Sequence, residues 1–232
     1  MKIIGLIGGM SWESTVPYYR QINESIKAQL GGLHSARLIL YSVDFHDIEQ
    51  LQRAGDWAAA GELMAQAARS LELAGAELLV LCTNTMHKVA DAIEAAVRIP
   101  LLHIADPTAH AIKKAGFTRV GLLGTRFTME QDFYRARLEE VHGLQVVTPT
   151  CADRDIVHRI IYEELCLGQI DATSRAEYRR IMASLQAQGA QAIILGCTEI
   201  TLLVSQQDAE VPLFDTTRLH ALAAAQWSLA AP

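Results

Sequence analysis

Short apolar runs rich in Ile, Val and Leu recur along this chain, and amphipathic stretches of helical periodicity separate them. The runs at 2–7, 36–43, 77–82, 100–104, 118–123, 144–148, 191–196 and 211–214 have strand length. Helical stretches cover 15–30, 57–74, 85–96, the segment from Asp106-Pro107 to Gly116, and the regions near 129–141, 153–167, 173–187, 198–206 and 216–229. Local signals mark several ends: Pro17 lies in a first turn, Gly31-Gly32 and Gly75 stop helices, and Asp56 is placed to cap the helix that follows it. Strands alternating with helices of this length build mainly parallel sheets covered on both faces, so the fold class is α/β.

The chain also repeats itself. Gly5-Leu6-Ile7-Gly8-Gly9 resembles Gly121-Leu122-Leu123-Gly124-Thr125, and Gly75 to Thr83 resembles Gly189 to Cys197. Pro100-Leu101 and Pro212-Leu213 each open a strand that feeds a helix. Three matches in order, each offset by about half the chain, predict two pseudo-symmetric lobes. The expected division is 1–105 plus 211–232 for the first lobe and 106–210 for the second, with the last residues folding back on the first.

Composition narrows the partners. Half of the 232 residues are hydrophobic and a fifth are charged, which excludes a disordered chain. A net charge of −6 and the lack of a basic run argue against nucleic acid or an anionic membrane as partner. The apolar runs are too short to span a bilayer. The glycine-broken start lacks a signal-peptide pattern, so a cytoplasmic protein is expected. Cys82, Cys151, Cys166 and Cys197 form no CxxC pair and no disulfide framework. The eight histidines show no paired ligand spacing, so no metal site is expected. Gly5-Leu6-Ile7-Gly8-Gly9 lacks the GxGxxG dinucleotide pattern, with only Asp44 near the second strand's end.

In parallel sheets, ligands bind beyond the carboxyl ends of the strands. Four segments fall there: Gly8 to Ser11, Cys82 to His87, Gly124 to Thr128, and Gly196 to Glu199. The repeat makes Thr83 and Cys197 equivalent, so facing lobes would set them on opposite sides of one cleft.

At these residues the chain resembles the aspartate/glutamate racemase family, and most closely its broad-specificity amino-acid racemase branch. The motifs are Gly5-Leu6-Ile7-Gly8-Gly9-Met10, Asn84-Thr85-Met86-His87 and Gly196-Cys197-Thr198-Glu199, and the resemblance covers essentially the whole chain. It implies two α/β/α lobes with an active site in the cleft between them, a homodimer, and catalysis without a cofactor. It also implies that one thiolate removes the α-proton of an amino acid while an opposite group returns a proton to the other face. The second-lobe cysteine then addresses the L enantiomer. Catalytic roles fall on Thr83 and Cys197, and substrate-binding roles on Met10, Gln52, Asn84, Thr85, Thr198 and Glu199. Backbone donors from Gly8-Gly9-Met10 and from the turns at Asn84-Thr85 and Thr198 suit the substrate carboxylate. A helix starting after Cys197 is expected to favour its thiolate.

The chain departs from the family pattern in two respects. The family's first-lobe cysteine falls on Thr83, whereas Cys82 comes one residue early and should point away from the cleft, because strand side chains alternate. Aspartate-specific members carry an Arg in the first lobe and a Lys in the second; here these positions hold Gln52, with Arg53 beside it, and Leu167. Two other functions stay open. Single-cysteine relatives of this fold decarboxylate malonates or act as isomerases, and a two-lobed module that binds a small molecule without catalysis would share the pattern. Residue by residue, Cys197 also fits a core thiol, Thr83 and Glu199 fit helix caps, His87 fits an ordinary first-turn residue, and Cys151 and Cys166 fit packing.

Overall fold

The computed structural model describes residues 1–230. It divides into two compact units: Met1–Ile104 together with the chain from His220 onward, and Ala105–Leu219. Residues 211–219, placed above with the first lobe, therefore belong to the second. The reason is strand pairing: Leu213–Asp215 runs parallel to Ala192–Gly196, with Ile193 opposite Leu213.

The first unit runs β1 (Ile4–Gly8), α1 (Trp12–Leu30), β2 (Leu38–Ser42), α2 (Phe45–Ala54), α3 (Trp57–Leu73), β3 (Leu78–Leu81), a 3-10 turn (Thr85–Val89), α4 (Ala90–Ala96) and β4 (Leu101–Leu102). The second runs α5 (Ala105–Lys114), β5 (Arg119–Gly124), α6 (Arg126–Glu130), α7 (Asp132–Ala136), a π turn (Arg137–Val141), β6 (Gln145–Val147) and α8 (Cys151–Glu163). It continues with α9 (Ala172–Ala187), β7 (Ala192–Gly196), α10 (Ile200–Leu203) and β8 (Leu213–Asp215). Helix α11 (Thr216–Leu229) begins in the second unit and ends in the first.

Each unit holds a four-stranded parallel sheet, ordered β2-β1-β3-β4 in the first and β6-β5-β7-β8 in the second. The registers match as well: Gly5 lies opposite Leu79 and Gly121 opposite Ile193, while Leu79 pairs with Leu101 and Ile193 with Leu213. The internal repeat is thus a repeat of topology and of hydrogen-bonding register.

Strand alternation sorts the first unit's core into two layers. Ile4, Leu6, Leu78, Val80 and Cys82 pack against Tyr18, Ile22 and Ile26 of α1 and Ala221, Ala224 and Ala225 of α11. Ile7, Leu79 and Leu81 face the other way, against Ile48 of α2, Met64, Ala68 and Leu71 of α3, and Ile93 of α4. In the second unit Leu123, Ile193 and Leu195 pack on Val157, Ile160 and Ile161 of α8 and Tyr178, Ile181 and Leu185 of α9. Helix α2 is assigned no element in the sequence reading. It is capped by Asp44, whose side chain accepts from the His46 N–H at 3.0 Å, so the acidic residue at the end of the second strand serves a helix. Asp56 caps α3 through the Ala59 N–H, also at 3.0 Å.

Candidate functional site

The β1–α1 turn depends on glycine. Gly9 has φ +94°, and a Cβ there would collide with the backbone of Val43. Its N–H donates to the Thr15 hydroxyl at 2.9 Å, and that hydroxyl donates to the Ser11 carbonyl at 2.8 Å. The Gly9 N–H is therefore engaged inside the turn and is not the carboxylate donor expected from the sequence. Met10 packs its side chain into the core beside Ile7 and Met86, leaving its backbone as what it can offer a ligand.

The turn after β3 carries Thr83. Its N–H closes onto the Leu81 carbonyl at 2.9 Å, and the His87 N–H reaches the Asn84 carbonyl at 3.1 Å. Thr83, Asn84, Thr85 and His87 are all buried. Among the described residues no side chain hydrogen-bonds to the Thr83 hydroxyl. Cys82 belongs to the core layer under α1 and α11, fully enclosed, with its thiol 3.8 Å from the Val80 carbonyl; burial pushes that thiol far up. At the equivalent register Gly196 has no room for a Cβ, which would sit 2.8 Å from the Leu123 carbonyl oxygen. Cys82→Ala should leave turnover unchanged and cost about 1–2 kcal/mol of stability from the cavity. Thermal unfolding beside kcat checks this, and a collapse of kcat at normal stability would contradict it.

Gln52 lies buried on α2 and donates through Nε2 to the Met86 sulfur at 3.2 Å. Its neighbour Arg53 projects to solvent, with its side chain 79% exposed and paired to Glu49 at 2.7 Å. Leu167, in a 3-10 turn after α8, is exposed.

In the second unit Cys197 follows β7 directly and is buried. Its thiol donates to Glu199 Oε2 at 3.0 Å, and the Thr198 hydroxyl donates to the same oxygen at 2.8 Å. Burial, and then the negative charge of Glu199, hold the Cys197 thiol well above its ordinary range. This reverses the expectation of a favoured thiolate. The helix that follows, α10, starts three residues later at Ile200 and has four residues. Its weak dipole stands against a carboxylate in direct contact with the sulfur.

Behind the Thr83 turn the structure gathers groups that sequence reading does not connect. The rings of His87 and His103 lie 4.4 Å apart, and those of His87 and His220 6.0 Å apart. The Tyr18 hydroxyl lies 2.9 Å from His220 Nδ1. These residues come from four separate segments, so no local motif announces them. Among the described residues no group of His, Cys, Asp or Glu suits a metal ion, and no helix is long and apolar enough to cross a membrane.

The twin parallel sheets, with buried Thr83 and Cys197 at matching strand ends, define a two-unit α/β protein. The chain belongs to the Asp/Glu/Hydantoin racemase family, whose model matches residues 7–224. A broad-specificity amino-acid racemase of Bacillus subtilis is 22% identical over 93% of both chains. A solved candidate Asp/Glu racemase from Yersinia pestis is 67% identical, covering 99% of this chain and 100% of that one, with a TM-score of 0.92. An aspartate racemase homologue from Pyrococcus horikoshii is 36% identical at a TM-score of 0.84, covering 99% of this chain and all of that one.

Proposed function

We propose that this protein is a cofactor-independent racemase or epimerase of amino acids, with Cys197 as the base on one face of the α-carbon and Thr83 presenting its hydroxyl to the other. The observation that carries the reading is the buried Cys197–Glu199 pair at the end of β7, matched in topology and register by Thr83 at the end of β3. The α-proton of an amino acid is very weakly acidic, so a carbanion there needs a preorganised polar surround. Thr198, Asn84 and Thr85 are buried polar groups at these turns and serve that end. Glu199 holds the Cys197 thiol in place through their hydrogen bond; once the thiol has lost its proton to solvent, the thiolate takes the α-proton of the L enantiomer.

Positions 52, 53 and 167 supply no dedicated reader for a side-chain carboxylate: Gln52 is neutral, Arg53 is turned to solvent and Leu167 is apolar. The reading takes the protein as a homodimer, as the resemblance in the sequence implies, and as cytoplasmic, with which four free cysteines accord.

Solvent-deuterium exchange at the α-carbon, run over a panel of L- and D-amino acids, tests the activity. Incorporation from at least one L-amino acid is expected. No exchange from any of them would leave the non-catalytic binding module, and decarboxylation of a malonate with no amino-acid exchange would select the single-cysteine alternative.

A further inference from the structure

We infer that His87 is a positioning residue for Thr83, acting as a neutral imidazole locked in its Nδ1–H tautomer; this rests on the racemase reading above. The lock follows from two partners of opposite kind. His87 Nδ1 lies 2.8 Å from the Thr83 carbonyl oxygen, which can only accept, so Nδ1 carries the proton. His87 Nε2 lies 3.2 Å from the backbone nitrogen of Ile104, which can only donate, so Nε2 carries the lone pair. A protonated ring would set an N–H against an N–H and bury a charge. Both ring nitrogens are satisfied only in this one form.

The ring is held on its other sides as well. His103 packs over it and His220 meets it edge-on. His220 is fixed in turn: its Nε2 lies 2.8 Å from the Leu102 carbonyl, so Nδ1 accepts from Tyr18. Tyr18, His87, His103 and His220 are all at least nine-tenths buried. A chain of single-valued hydrogen bonds thus runs from the residues after β4, through the imidazole, to the backbone carbonyl of Thr83. It sets the peptide from which the Thr83 hydroxyl projects, while Cys197 belongs to the other unit and takes no part. Misplacing a reacting group by about 1 Å costs roughly a hundredfold in rate, so a strut at this carbonyl bears on Thr83's half of the reaction alone.

The experiment compares His87→Asn with His87→Gln. Asparagine keeps a donor at the place of Nδ1, and Asn23 already makes the same bond in this protein, from Nδ2 to the carbonyl four residues earlier at 2.8 Å. Glutamine reaches toward the place of Nε2 and loses the donor to Thr83. Readouts are deuterium wash-in from the L-amino acid that exchanges fastest, net inversion of that amino acid, KM, and thermal unfolding. His87→Gln should lose inversion at least about tenfold while L wash-in and KM stay within about twofold, and His87→Asn should recover most of the inversion. Inversion unchanged in His87→Gln overturns the proposal. So does an equal fall of wash-in and inversion in both variants, which marks a merely structural histidine, and so does an asparagine that rescues nothing. Nitrogen-15 shifts of the His87 ring read the tautomer directly, and an Nε2–H or doubly protonated ring also overturns it. Thr83→Ala separates the two levels: if it inverts normally, the role of Thr83 fails before that of His87 is at issue, and an inactive wild-type chain removes both.

Discussion

Cys197→Ser should abolish α-proton exchange and racemisation, with a loss of about three orders of magnitude or more, while the fold survives. The substitution keeps a hydrogen-bond donor to Glu199 and nearly the same volume, so the buried contact at 3.0 Å has a replacement. What it removes is acidity: an alcohol beside a carboxylate in a buried site does not ionise near neutral pH. Circular dichroism and thermal unfolding close to wild type, beside absent exchange, are the expected pair of results. Near-normal exchange would remove Cys197 from the chemistry. The pH profile follows from the same environment. The Cys197 thiol is held well above its ordinary range by burial and by Glu199, so below that raised pKa the thiolate fraction grows with pH. L wash-in should therefore climb through neutrality and keep climbing past roughly 8.5, where an unperturbed thiol is half ionised. Glu199→Gln removes one cause of the shift and should move the rise to lower pH. A plateau already present at neutral pH in the wild type would show that the resting thiol is not held protonated.

The second large effect is an asymmetry between enantiomers. On the proposed reading the two sides of the reaction are chemically unequal. Cys197 offers a thiol, whereas Thr83 offers an alcohol, far less acidic and with no side-chain hydrogen-bond partner among the described residues. Deprotonation of L-substrate should be fast, deprotonation of D-substrate slow, and net inversion slower than L wash-in by about tenfold or more. A catalyst leaves the equilibrium between enantiomers at unity, so the difference lies in exchange rates and KM values tied by the Haldane relation. Thr83→Cys places a thiol on the slow side and should raise inversion. Equal single-turnover exchange from both enantiomers, or no gain in Thr83→Cys, would show that Thr83 does not limit the reaction.

Particular elements show what local sequence could and could not convey. The strands β1, β3, β5 and β7 are buried on both faces and stand out as apolar runs. Helix α3 declares itself by Asp56 at its start and small or apolar residues at helical spacing. Helix α2 does not, because it buries only Ile48 and Gln52 and its other residues are mostly polar. The stretch near 129–141 reads as one helix, yet it forms α7 and a π turn preceded by α6, which ends at Glu130. The stretch 198–206 reads as one helix and is cut to α10 with a separate 3-10 turn at Gln206–Asp208, where Ser205 and Asp208 form a capping box. At the site, the register of Thr83 and Cys197 follows from the repeat alone, as does the inward packing of Cys82 from alternation. The state of the Cys197 thiol did not follow, since helix-dipole reasoning from a motif takes no account of burial.

The sequence by itself determined the class of fold, the doubling of one topology, and which strand ends carry hydroxyl and thiol. Those properties depend on periodicity and on neighbours a few residues apart, which the order of residues states directly. Only the tertiary structure decided that 211–219 belong with the second sheet and that Arg53 faces solvent. It alone decided that Glu199 turns its carboxylate onto the sulfur, and that Tyr18, His87, His103 and His220 share one buried cluster. Each of those outcomes depends on contacts between segments far apart in the chain or on which way a side chain turns. A charge or a proton there is governed by burial and by the partner across a hydrogen bond, and neither quantity exists until the chain is folded.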